Sequence, residues 1–403
     1  MQSRTRVVPR YPARENSVFL DAGFRPFFLG AGVFAVFSMI LWILIQTGLI
    51  SLPVSQPLTN WHAHEMLFGY ASAALAGFLL TAVASWTSRP PVSGTLLLNL
   101  FTLWIVGRVM MTFGSGVAPV TSALIDGVFL PVLLVVVSKE IIFGKCWRNL
   151  PVCAAVALLA AANIASHLEL FLDDIPQGLG IRLGLSVYVC LIVLIGGRIV
   201  PNFTNNWFRT MSAPYRARPS SLFDLAIILL TVAALGCWIV SPESRTTGLL
   251  LANAAIGNAL RFIRWNGYNA GAEPLVWILH VGYAWVPLGL LFLGVSQLNS
   301  SIPVSAGIHA LTAGAIGTMT VAVMTRATLG HSGQVLQADG ATFCIYILLV
   351  FAAVARVAAA FPIEHQTEML FLSGVQWCGG FLLFCIRYGV IILGGHWIKP
   401  RER

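Results

Sequence analysis

Residues 60–80 read NWHAHEMLFGYASAALAGFLL, and they decide the fold. From Met66 onward the stretch is apolar and rich in small residues, long enough with its flanks to supply the ~20 residues that a bilayer-spanning helix needs. Yet it opens with His62, His64 and Glu65, groups that are costly inside a membrane and point to function when they occur there.

Working outward from this stretch, the rest of the chain has the same character. The protein has 403 residues, of which 57% are hydrophobic and only 10% charged. A soluble domain carries about 25% charged residues, so this composition cannot cover an ordinary wetted surface. The chain is expected to be an all-α, polytopic membrane protein. Twelve apolar stretches have spanning length: 27–49, 61–84, 94–113, 119–142, 151–172, 178–201, 221–241, 246–265, 274–296, 303–326, 338–361 and 366–394. Proline- and serine-rich punctuation separates them, as in SRPPVSG at 88–94 and SSIPVS at 300–305. The connections are too short for a separate extramembrane domain. The expected organisation is therefore a tail at 1–26, one transmembrane domain at 27–396 and a tail at 397–403.

The net charge of +9 does not point to nucleic acid, because the basic residues are scattered along the chain. Basic residues in membrane proteins collect in cytoplasmic loops. With the N-terminus placed inside, that side receives every lysine and arginine except Arg245 in an outer loop and Arg108, Arg182, Arg356 and Arg387 within spans. Both termini are therefore expected in the cytoplasm. The first 25 residues contain five arginines and no apolar core, so no cleavable signal peptide is expected. Seven cysteines form no CxxC pair, which argues against disulfide scaffolds and thiolate zinc sites.

In this orientation His62, His64 and Glu65 lie at the outer end of the second span. His309 lies about 9 Å inside the tenth, also from the outer side, at 1.5 Å per residue. His280 of the ninth span and His331 after the tenth form an inner level. Imidazole is a ligand for haem iron, copper and zinc. His62 and His64 are two residues apart, so on a regular helix they point about 200° from one another and cannot grip one metal. Either His62 lies in an unwound entry or the two serve different centres. His64 with His309 would clamp a haem between the second and tenth spans, leaving His62 and Glu65 for a second metal or for steadying the first ligand. The outer-level Arg108, Arg182 and Arg356 match haem propionates as two-pronged donors, against a plain role of snorkelling to headgroups. Met66, Met319 and Met324 read mainly as core filling. Loop histidines His167 and His365 read as solvated, and His396 as interfacial. The second, sixth and tenth spans end alike in polar tails, a spacing that suits three four-helix units about a pseudo-threefold axis.

Three blocks, WHAHEMLFGYASAALAGFLLTAVASWTSRPP, RIVPNFTNNW and HALTAGAIGTMTVAVMTRATLGHSG, together resemble the NnrS family. That resemblance implies a bacterial inner-membrane protein with haem b and copper, linked to nitric oxide, denitrification and resistance to nitrosative stress. The layout is also similar to the catalytic subunit of haem–copper oxidases and nitric oxide reductases. It departs from them in lacking histidine in the sixth and seventh spans, so their three-imidazole copper site cannot be carried over. Copper would use either His62 with His64 or His280 with His331.

The leading functional expectation is a haem protein that binds nitric oxide and detoxifies or reduces it. Glu65, Tyr283, His280 and His331 are its proton-carrying candidates, and a quinol or cytochrome its electron donor. The competing readings are an exporter of copper or metal–nitrosyl species and a non-catalytic haem sensor of nitric oxide.

Overall fold

A computed structural model describes residues 18–218 and 221–395. Most of the expected N-terminal tail, His396 and the tail at 397–403 lie outside those residues. Within them the chain folds into twelve long helices: α1 Phe24–Gln46, α2 Leu58–Thr87, α3 Gly94–Gly114, α4 Pro119–Phe143, α5 Trp147–Leu168, α6 Leu179–Thr210, α7 Leu222–Val240, α8 Arg245–Ile263, α9 Pro274–Ser296, α10 Val304–His331, α11 Gly340–Ala358 and α12 Gln366–Ile392. No strand occurs among the described residues. Eleven of the twelve are long and apolar enough to cross a membrane. The exception is α8, whose 19 residues include Thr246, Thr247, Asn253, Asn258 and Arg261. Thr247, Asn258 and Arg261 are buried against neighbouring helices, so much of its polarity faces protein.

Lipid is as apolar as leucine, so helices in a membrane associate through close packing and hydrogen bonds. Burial separates inside from outside accordingly. In α2, 83% of the apolar window is buried, against 33% in α1, α7 and α12. α6, α9 and α10 are the other well-buried helices. The outer helices present large apolar side chains outward, among them Leu124, Val135, Leu229 and Val375. α1 packs against α12, bringing the two ends of the chain together.

Three ion pairs recur at four-helix intervals. Arg89, before α3, meets Glu140 near the end of α4 at 2.6 Å. Asp224 at the start of α7 meets Arg261 near the end of α8 at 2.8 Å. Asp339, which caps α11, meets Arg387 near the end of α12 at 2.6 Å. The same places in three successive hairpins are thus pinned, with the charges exchanged in the first. α2, α6 and α10 also share a feature that periodicity does not reveal. Each contains a π-helical segment, at Glu65–Ala71, Ile192–Gly196 and Ala310–Gly317 respectively. A fourth closes α3 at Met110–Gly114.

Candidate metal centre

α2 runs as a regular α-helix through His64 and changes to π-helix at Glu65. The two-residue spacing therefore acts as geometry requires, and His62 and His64 turn to different neighbours. A π-turn leaves carbonyls out of register with the helix ladder and is common at functional sites. Here outside donors supply the missing bonds. Trp104 Nε1 donates to the Gly69 carbonyl at 3.0 Å, and the Tyr188 hydroxyl donates to that of Leu67 at 3.0 Å. Gly69 itself lies against Phe34 and Arg108, and a Cβ there would overlap the Phe34 ring.

His64 faces α3, α4 and α5. Its Nδ1 lies 2.9 Å from Glu65 Oε1, and its Nε2 lies 2.8 Å from Asn163 Oδ1 and 3.3 Å from Asp126 Oδ2. His167 Nε2 reaches the same Asp126 oxygen at 2.8 Å. Asn163 Nδ2 donates to it at 3.0 Å, which fixes the amide's orientation. Arg108 donates from Nη1 to Glu65 Oε1 at 2.6 Å and pairs through Nη2 with Asp126 Oδ1. All six residues are buried. His64, Asp126 and His167 each offer one ligand atom, and these atoms lie within 4.8 Å of one another.

Both ring nitrogens of His64 face oxygens, Nδ1 that of Glu65 and Nε2 that of Asn163, so the ring is held at both edges. Arg108 lies between Glu65 and Asp126 and offsets their charge. That matters because an uncompensated charge in this interior is expensive.

His62 turns the other way. It stacks on Trp42 of α1, with ring centroids 4.4 Å apart and planes 15° apart. His309 and Arg356 lie within electrostatic range of it. His309 Nδ1 donates to the Ser305 carbonyl at 2.7 Å, which leaves Nε2 as the outward nitrogen. Arg356 makes no hydrogen bond or ion pair with any described residue, and His62 Nδ1 is buried without a partner.

His64 thus meets residues of α4 and α5, whereas His309 lies within electrostatic range of His62 and Arg356. Arg108 is occupied by Glu65 and Asp126. Arg182 bonds the Gln177 carbonyl at 2.9 Å and the Ile239 carbonyl at 3.4 Å. Of the three outer arginines, only Arg356 has no hydrogen-bond or ion-pair partner among the described residues. At the other end, His280 Nε2 meets Thr204 Oγ1 at 2.8 Å, whereas His331 packs beside Phe24. These two share no bond or ring contact. Tyr283 donates to Asn258 Oδ1 at 2.7 Å and accepts from Arg261 at 3.1 Å, inside a clamp that also binds the Val193 carbonyl of the α6 π-segment.

His167 corrects the expectation of a solvated loop histidine. It lies within α5, is 6% exposed and faces the interior one turn after Asn163. Asp126 and Asn163 were not anticipated as site residues either. The available signals were a lone carboxylate within an apolar run, and Asn163 and His167 spaced four apart on one helix face. His365 is exposed beside Glu368, as a solvated loop residue should be.

Fold and site together define a polytopic helical membrane protein with a buried histidine–carboxylate centre. The chain belongs to the NnrS protein family, whose sequence profile matches residues 18–395. Membership marks it as a nitric-oxide-related membrane protein. No curated protein matches the chain.

Proposed function

We propose that this protein binds nitric oxide at protein-held metal in the bacterial inner membrane, with both termini cytoplasmic, and so protects against nitrosative stress. The observation that carries the reading is the convergence of His64, Asp126 and His167 in a dry interior. Two imidazoles and a carboxylate are a donor set for a transition metal. Imidazole suits copper, and copper is the ion proposed for this site.

His64 and His167 would hold this ion through nitrogen and Asp126 through oxygen. Arg108 would hold both carboxylates in place, and Glu65 would fix the His64 ring through Nδ1. Haem b suits the second set. His62 and His309 supply imidazoles from α2 and α10, and the unpaired Arg356 matches a propionate. When bound, the iron and copper supply the coordination positions for nitric oxide.

The test is copper, haem and optical analysis of the purified full-length protein, with nitric oxide added to the reduced form. A Soret band that shifts with the gas, together with copper that is lost in a His167→Ala variant, supports the reading. Absence of both metals overturns it.

A further inference from the structure

α2, α6 and α10 line an apolar chamber of about 90 Å³ that is open on one side. Its wall includes Ala71 and Ala74 of α2, Ile192 and Ile195 of α6, and Met319 and Val323 of α10. These are the three helices with matching π-segments, and each segment borders the chamber. Unpaired carbonyls from such segments would ordinarily draw in water. Here the nearby ones are taken: Leu67 by Tyr188, Gly69 by Trp104 and Val193 by Arg261 from other helices, and Ile316 by Thr320 of its own helix. The Thr320 hydroxyl, the one polar side-chain group of the α10 wall, also meets Tyr70 at 2.5 Å.

A lining with no free donor gives water nothing to bind. Apolar cavities of this kind stay dry and take up small apolar molecules such as xenon. The volume is about three times the ~30 Å³ that one water occupies in the liquid. It suits a few diatomic molecules and is far too small for a macrocycle. Ala71 follows His64 by seven residues on the same helix, a separation of roughly 10 Å at 1.5 Å per residue.

We infer that this chamber is a binding site for small uncharged gas molecules, a reservoir that nitric oxide occupies on its way to the metal. The identity of the gas rests on the proposed function; the chamber's capacity for apolar gas does not.

The two are separated by using xenon as the probe. Crystals of the full-length protein grown in lipid are pressurised with xenon, alongside Ala74→Phe and Val323→Phe, which fill the chamber from opposite helices. The expected result is a xenon peak in the wild type that is lost in both variants. Nitric oxide capture should be slowed in both, with metal content unchanged. No xenon peak in the wild type, or a lipid tail seated there that excludes it, would overturn the inference. So would unaltered capture in variants that have lost the peak. A wild type that contains no metal but takes up xenon would sink the proposed function and leave the chamber standing.

Discussion

His167 Nε2 lies 2.8 Å from Asp126 Oδ2, so a histidine near the end of α5 is fixed to a carboxylate about two turns into α4. This contact brings α4 and α5 to the histidine end of α2 and joins what would otherwise be three separate buried polar groups. If the cluster holds copper, His64→Ala, Asp126→Ala and His167→Ala should each lose it, whereas His365→Ala, on the surface, should not. Metal analysis of the purified variants checks this, and copper retained at wild-type level in all three buried variants would relocate the site.

Haem is predicted to follow the other histidines. His62→Ala and His309→Ala should each abolish the Soret band, while His64→Ala should leave it. Arg356→Leu should weaken haem retention without removing either iron ligand. Reduced-minus-oxidised spectra of matched preparations decide the matter, and a band lost in His64→Ala and His309→Ala but kept in His62→Ala would restore the pairing of His64 with His309.

The helical framework was legible because lipid imposes it. Length, hydropathy and basic-residue placement delimited the spans, and even the divergence of His62 and His64 followed from 3.6 residues per turn. What could not be read was which neighbour each histidine meets. The π-segment that begins directly after His64, and its counterpart after His309, depend on tertiary partners such as Trp104 and Tyr188, which lie far away in sequence. His167 was misread for a related reason. It lies two residues before Glu169, which resembled a loop, but Glu169 accepts from the Gly178 and Gly180 amides and so caps α6. Gly180 in turn lets α6 approach the α5 backbone so closely that a Cβ would overlap the Ser166 amide. That contact keeps the end of α5 helical and turned inward.

Arg108 stabilises two buried carboxylates, so Arg108→Leu should lower stability by about 3–5 kcal/mol, the usual effect of stranding a buried charge. The same change combined with Glu65→Gln and Asp126→Asn removes all three charges and should recover much of the loss. Thermal unfolding in one detergent compares the two, and equal melting temperatures for the single variant and the wild type would refute the role.

Asp339 is predicted to make the α11–α12 clamp acid-sensitive. Burial works to raise its pKa, but hydrogen bonds from Thr342 and the Arg387 guanidinium outweigh this and hold the carboxyl below its ordinary range. A lowered folded-state pKa means stability that is present above the ordinary carboxylate range. It is lost as pH falls below ~4 and through the lowered value. Asp339→Asn should be less stable than wild type at neutral pH, with the difference shrinking in acid. Unfolding curves across that range test it, and a constant difference at all pH values would exclude the linkage.

The strongest consequence of the His64 hydrogen bonds concerns protons. Nε2 of His64 faces Asn163 Oδ1, so it must be freed of hydrogen before its lone pair can reach a metal. Loading with monovalent copper should then be accompanied by proton release. The released proton either leaves for solvent or stays on Glu65, whose Oε2 has no partner. Weakly buffered titration with a pH indicator distinguishes these outcomes. Glu65→Gln removes the internal acceptor, so it should move release towards one full proton if the wild type releases less. Copper binding at full occupancy without any proton release, in both wild type and Glu65→Gln, would show that proton exchange does not govern the site.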